Sequence, residues 1–327
     1  MVVTYNTSPE LIGIHTCAFN DDLTRMVVCN AKGRVQICHR LDHQQLWQAT
    51  VDLPTRTKPA VTQVAWAHST HGSVVACGSG NGLVTIWQQA PTLCGHDEEW
   101  IQRATLTESS KPINHLQFAP AQLGPQLAVA SDDGYIRFYE ASAALDADHW
   151  RLCNDLQATS HGGCKCLSWR PHTHGLPPML VIGTMEAATV WYYRKAFADW
   201  AQAAVLDTGN QSVTSIDWAP GRTVELIAAA TSAGVHIWSL KGKAHDLQVQ
   251  QMECLSSNEE TTLDCLPIAG HAWKVQFDRM GTLLATSAGD GDSSSVCVWE
   301  MNMSGQWCLS SRISEDPPDM NAGAMLE

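Results

Sequence analysis

One phrase, repeated about every 50 residues, constrains this 327-residue chain more than any other feature. The phrase is a short alternating strand that closes on an aromatic and often runs on into Ala-Pro. Its clear copies are Val61-Thr-Gln-Val-Ala-Trp66-Ala-His68, Ile113-Asn-His-Leu-Gln-Phe118-Ala-Pro120 and Val213-Thr-Ser-Ile-Asp-Trp218-Ala-Pro220. Looser copies are Ile14-His-Thr-Cys-Ala-Phe19, Cys164-Lys-Cys-Leu-Ser-Trp169 and Ala272-Trp-Lys-Val-Gln-Phe277. The aromatics fall at 19, 66, 118, 169, 218 and 277, at intervals of 47, 52, 51, 49 and 59. A second marker follows each one after 19 to 22 residues: Trp87, Tyr139, Trp191, Trp238 and Trp299, with Cys38 in the first copy.

The physics of both phrases is that of strands. Val, Ile and Thr alternate with period 2, so one face is apolar. Asn81-Gly82 and Asp133-Gly134 supply the positive φ that a tight hairpin needs. A third apolar run trails each copy, beginning near Leu46, Trp100, Trp150, Trp200, Leu247 and Trp307. Four short strands in roughly 50 residues make a propeller blade. The chain is therefore predicted to be all-β, a six-bladed β-propeller over residues 1–313. Its blades are placed at about 11–53, 61–106, 113–156, 164–206, 213–255 and 272–313. Residues 90–99 and 141–149 read as inter-strand loops, 241–270 as the largest insertion and 314–327, with Pro317-Pro318, as a disordered tail.

Composition closes off several functions. A formal charge of -13, with only 20 basic residues and no basic run, argues against direct nucleic-acid binding. No window of 18 apolar residues occurs, so no membrane insertion is expected. The opening MVVTYNTSPEL lacks the features of a signal peptide. Twelve cysteines without such a signal point to a reducing compartment and free thiols. The sequons at Asn6, Asn210 and Asn302 then read as chance matches.

No catalytic, metal or cofactor site is predicted. His161, Cys164, Cys166, His172 and His174 have metal-ligand chemistry, but the Cys pair is separated by one residue, whereas zinc pairs are spaced by two to four. Gly78-Ser-Gly-Asn-Gly82 is followed by a strand and lacks Lys-Ser/Thr, so a hairpin turn accounts for it better than a phosphate loop. Asp21-Asp22, Asp132-Asp133 and the Asp290/Asp292 pair lie at or beside turns, where Asp is a good turn former. No Gly-x-Ser-x-Gly elbow is present. Trp66, Trp87, Trp169, Trp191, Trp218, Trp238 and Trp299 recur at fixed repeat positions and read as core. Trp47, Trp100, Trp150, Trp200 and Trp307 enter the outer strands, where either a half-buried rim or a partner contact would suit them.

The copies resemble the WD-repeat family in a degenerate form. The closing aromatic is followed by Gln88, Glu140, Tyr192, Ser239 or Glu300 and never by Asp, and Gly-His occurs only at Gly95-His96 and Gly270-His271. Aromatic packing is therefore expected to replace the family's His–Asp network. Within that family the blades are similar to the Seh nucleoporins, homologues of the COPII coat subunit Sec thirteen. The residues that carry this are Val61 to Trp66 with Val84-Thr-Ile-Trp87, Phe118-Ala-Pro120 with Ser131-Asp-Asp-Gly134 and Tyr139-Glu-Ala141, Cys164-Lys-Cys-Leu-Ser-Trp169, and Trp273-Lys-Val-Gln-Phe277.

The resemblance implies an open six-bladed propeller, completed in trans by a β-blade from a helical solenoid nucleoporin. It implies a non-enzymatic scaffold in the Y-shaped outer-ring complex of the nuclear pore, with other nucleoporins of that complex as partners and a role in nucleocytoplasmic transport. It also implies a place at the nuclear envelope. A vacuolar or lysosomal growth-signalling complex and a COPII coat role are alternatives within the same resemblance. A ubiquitin-ligase adaptor is a further alternative, weakened because no Trp-Asp dipeptide occurs. Six copies and no seventh leave two strand edges to close, and unpaired edges are a liability. The partner groove is accordingly expected between blade 1 and blade 6. Its candidate contacts are Leu11, Ile12, Ile14, Thr16 and Ala18 on one side and Trp273, Val275 and Phe277 on the other.

Overall fold

The computed structural model describes residues 13–41, 46–55, 59–90, 98–143, 146–171, 175–221, 224–255, 271–289 and 294–314. Within these lie six four-stranded antiparallel sheets, each a simple meander. The first strands are Ile14–Phe19, Val61–Trp66, Ile113–Phe118, Cys164–Trp169, Val213–Trp218 and His271–Phe277. The second strands are Arg25–Asn30, Val74–Ser79, Gln126–Ser131, Met179–Thr184, Glu225–Thr231 and Leu283–Gly289. The third are Val35–Leu41, Val84–Gln89, Tyr135–Ala143, Ala188–Arg194, Gly234–Lys243 and Ser294–Met301. The fourth are Leu46–Leu53, Trp100–Leu106, Asp146–Gln157, Asp199–Leu206, Asp246–Leu255 and Trp307–Ser314. This is a six-bladed β-propeller fold, as the repeat period requires.

The blades group into two compact units, residues 1–185 with 189–203, and residues 186–188 with 204–327. Blades 1 to 3 and nearly all of blade 4 belong to the first, blades 5 and 6 to the second. The hairpins form where the glycines were read. Gly82 and Gly134 both have φ of 85°, and each donates its N–H to the last residue of the second strand, Ser79 and Ser131. Two segments differ from the sequence reading. Residues 141–149 are not a plain loop, because the third and fourth strands of blade 3 extend into a long hairpin pairing Ala141 with Trp150 and Ala143 with Asp146. Likewise residues 241–246, read as the start of an insertion, extend the hairpin of blade 5, with Lys243 paired to Asp246, because small and polar residues there continue the ladder. The rest of that insertion, and the tail from residue 315, lie outside the described residues.

Adjacent blades meet through two unlike faces. The face a blade turns to its predecessor carries the aromatics. In blade 2 these are Trp66, Trp87 and Trp100, against Val27, Cys29, Val35 and Ile37 of blade 1. In blade 3 they are Phe118, Tyr139 and Trp150, against Ala76, Val84 and Ile86 of blade 2. In blade 4 they are Trp169, Trp191 and Trp200, against Ala128, Ala130 and Ile136 of blade 3, where Phe138 also stacks on Trp200 at 4.6 Å. In blade 6 they are Phe277, Trp299 and Trp307, against Ala228, Ala230, Val235 and Ile237 of blade 5. The face turned to the successor is thus mainly small and aliphatic. The fourth-strand tryptophans are part of this packing. Trp47, Trp100, Trp150, Trp200 and Trp307 sit 5.6 to 6.1 Å from the aromatic that ends the first strand of the same blade. Each such pair contributes about 0.5–1.5 kcal/mol beyond its buried area.

Two measurements follow. A Cβ on Gly134 would lie 2.5 Å from the carbonyl oxygen of Thr159, in a backbone conformation that L residues resist. Gly134→Ala is expected to lower stability by at least about 1–2 kcal/mol, read as a fall in thermal midpoint. His236 is buried and stacked on Trp238 at 5.6 Å, and burial holds its pKa below the ordinary 6.5. As pH falls from neutral, the unfolded chain takes up this proton first, so the contribution of His236 is lost as pH drops below about 6.5. Thermal midpoints measured from about pH 7.5 to 5.5 should fall, and fall less in His236→Phe.

Candidate partner-binding faces

A cross-strand pair near the start of the third strand measures how well each blade is covered by its successor. The pairs Val35/Leu53, Val84/Leu106 and Ile136/Leu156 are buried in blades 1, 2 and 3. The same pair in blade 6 is Val296/Ile313, and these are 39% and 49% exposed. Around them Leu283, Ala285, Ser287 and Val298 are only half-buried. Blade 6 thus presents the small, aliphatic type of face with residues exposed at positions that are buried in blades 1 to 3.

Blade 1 presents the opposite type. Its face turned from blade 2 carries buried Met26, Val28 and Cys38, with Trp47 and Ala49 packed on them. Phe19 lies edge-on to Trp47 at 5.6 Å and is 43% exposed. Its counterparts Phe118, Trp169 and Phe277 are buried. The sequence reading weighed Trp47 as a rim or partner position, but missed Phe19, Val296 and Ile313 as candidates for a partner face. The signal was present in the repeat register, since each occupies a position that elsewhere faces a neighbouring blade.

A third regularity sits in the first strands. Each has a bulge just after its first residues, and the bulged residues are His15, Thr62, Asn114, Lys165, Thr214 and Trp273. Three of these donate to a main-chain carbonyl at the start of the next blade's first strand. Thr62 Oγ1 reaches Ile113 O at 3.3 Å, Asn114 Nδ2 reaches Cys164 O at 2.8 Å, and Thr214 Oγ1 reaches Ala272 O at 3.0 Å. In blade 1 the thiol of Cys29 takes the equivalent acceptor, Val61 O, at 3.2 Å. Lys165 instead reaches back to Asp132 at 2.8 Å. That ammonium and the Asn114 amide hold the Asp132 carboxyl below the usual carboxylate range. At the same position blade 6 carries Trp273, which is 47% exposed.

The predicted contacts divide accordingly. Leu11 and Ile12 lie outside the described residues. Ile14 and Trp273 are exposed and Thr16 is half-buried. Ala18 packs on the blade 1–blade 2 core. Val275 and Phe277 are buried against blade 5, because alternation past the bulge turns them inward. Of the other clusters weighed in the sequence, Asp290 and Asp292 lie outside the described residues. Cys164 and Cys166 are buried, and burial pushes the Cys164 thiol up to about 12. His172 and His174 lie outside the described residues. Gly78 to Gly82 spans the end of a second strand and its hairpin, and Asp132-Asp133 begins another hairpin.

Exposure makes a direct prediction. Ile313→Asp should shift stability by no more than about 0.5 kcal/mol, as an exposed change does. Its buried counterpart Leu156→Asp should cost several kcal/mol, about 3 or more, by burying a charge. Chemical denaturation of the two variants separates them.

No family model matches the chain. Curated proteins do. It is 27% identical over 317 residues to Nucleoporin SEH1 of Homo sapiens, covering 90% of this chain and 83% of that one. Nucleoporin SEH1-A of Xenopus laevis is 26% identical over the same shares. Nucleoporin SEH1 of Osmerus mordax is 27% identical over 334 residues, covering 95% of this chain and 86% of its own. The likeness covers nine-tenths of a chain that folds as a six-bladed propeller, and by sequence the chain is similar to the SEH1 nucleoporins.

Proposed function

We propose that this chain is a non-enzymatic scaffold subunit of the nuclear pore at the nuclear envelope. In this reading it works within the Y-shaped outer-ring complex and supports nucleocytoplasmic transport. A helical solenoid nucleoporin binds it by donating a β-blade. The observation that carries the reading is the uncovered aliphatic face of blade 6, where Val296 and Ile313 stand exposed at positions buried in blades 1 to 3. The likeness to proteins named Nucleoporin SEH1 supports the choice of assembly. β-Augmentation suits such a face, because main-chain pairing supplies affinity and the alternating side chains supply specificity.

The test is co-expression with the full-length helical solenoid nucleoporin of the same genome. The pair should co-elute on a sizing column. The propeller's thermal midpoint should rise by several degrees, since a ligand at about 100 times its Kd adds about 2.7 kcal/mol. A fluorescent fusion should mark the nuclear rim. Separate elution, or purely vesicular puncta, would overturn the reading.

A further inference from the structure

Twelve of the thirteen tryptophans occupy three recurring positions: the end of the first strand, one place in the third and one in the fourth. The thirteenth is Trp273. It stands where Thr62, Asn114 and Thr214 each donate to the first strand of the following blade. Blade 6 is the last blade among the described residues, and the Trp273 indole makes no hydrogen bond among them. Its side chain keeps one donor, Nε1–H, and lengthens the reach of that donor beyond that of threonine or asparagine.

We propose that the β-element covering blade 6 is registered by Trp273, whose indole N–H donates to a main-chain carbonyl on the element's leading strand. This rests on the scaffold reading above and names the chemistry of the occupant. At each described junction within a unit, a small and aliphatic face receives a face with three aromatics at fixed positions. Blade 6 offers that receiving face through Ala285, Ser287, Val296, Val298 and Ile313. Its occupant is therefore a protein β-sheet with bulky aromatic side chains on the docking side. Register matters because a slip of one residue would turn those aromatics away from blade 6. A fixed donor at the bulge selects one register by holding one carbonyl.

The experiment uses the full-length chain and the full-length solenoid nucleoporin, titrated by calorimetry. Val296→Asp and Ile313→Asp are expected to weaken binding at least 100-fold. Trp273→Phe keeps the ring and removes the donor, and is expected to weaken binding about tenfold, as loss of one partly buried hydrogen bond does. Thr214→Val breaks the equivalent tie inside the chain, and should lower the thermal midpoint while leaving Kd unchanged. In the complex of the wild type, the Trp273 indole proton should exchange with solvent more slowly than in the free chain. Wild-type affinity in Trp273→Phe, with unchanged indole exchange, overturns the proposal. Unchanged affinity in Val296→Asp and Ile313→Asp overturns it too, while leaving the nucleoporin reading in place. Absence of any complex with the wild type overturns both.

Discussion

Within each unit the fold depends on one interaction repeated at the described junctions between blades: an aromatic face laid on an aliphatic one. Sheet packing needs complementary relief, and large side chains opposite small ones fill the space without voids. Here the large ones are Trp, Phe and Tyr at three fixed places, and the small ones are Ala, Val and Ile between them. The division of labour explains how a degenerate repeat keeps its shape. The sequence carries little of the His–Asp pattern of regular WD repeats, and among the described residues aromatic pairs pack strand to strand. Trp87 and Trp191 even bond the threonine two residues before them, and Trp299 bonds Thr286.

Much of this was legible in the sequence. Periodicity fixed the blade count, and Asn81-Gly82 and Asp133-Gly134 marked the hairpins that the structure contains. The tryptophan excess was correctly traced to the repeat, although the fourth-strand group could be read two ways until Trp100 and Trp307 were seen buried. Harder to read were the faces. A strand's alternation says that one side is covered, but not by what. Val275 and Phe277 alternate as well as Trp273 does, and only the bulge and the packing on blade 5 separate buried from exposed. The long hairpins of blades 3 and 5 were missed because Ala, Gly and Lys carry weak strand preference, and pairing to a neighbour decided their conformation.

The hydrogen bonds at the bulges add a second layer of specification. Packing alone tolerates sliding, since one aliphatic surface resembles another. A side-chain donor committed to a single carbonyl does not. Thr62, Asn114 and Thr214 therefore fix how far one blade stands along its neighbour, at modest energetic gain of about 1 kcal/mol each.

The unlike faces of a blade give the array a direction. Blade 1 keeps an aromatic face and blade 6 an aliphatic one, so the two ends of the series differ in kind. In the language of assembly they are a heterologous pair, and such pairs propagate head to tail, whereas a self-matching surface stops at a dimer.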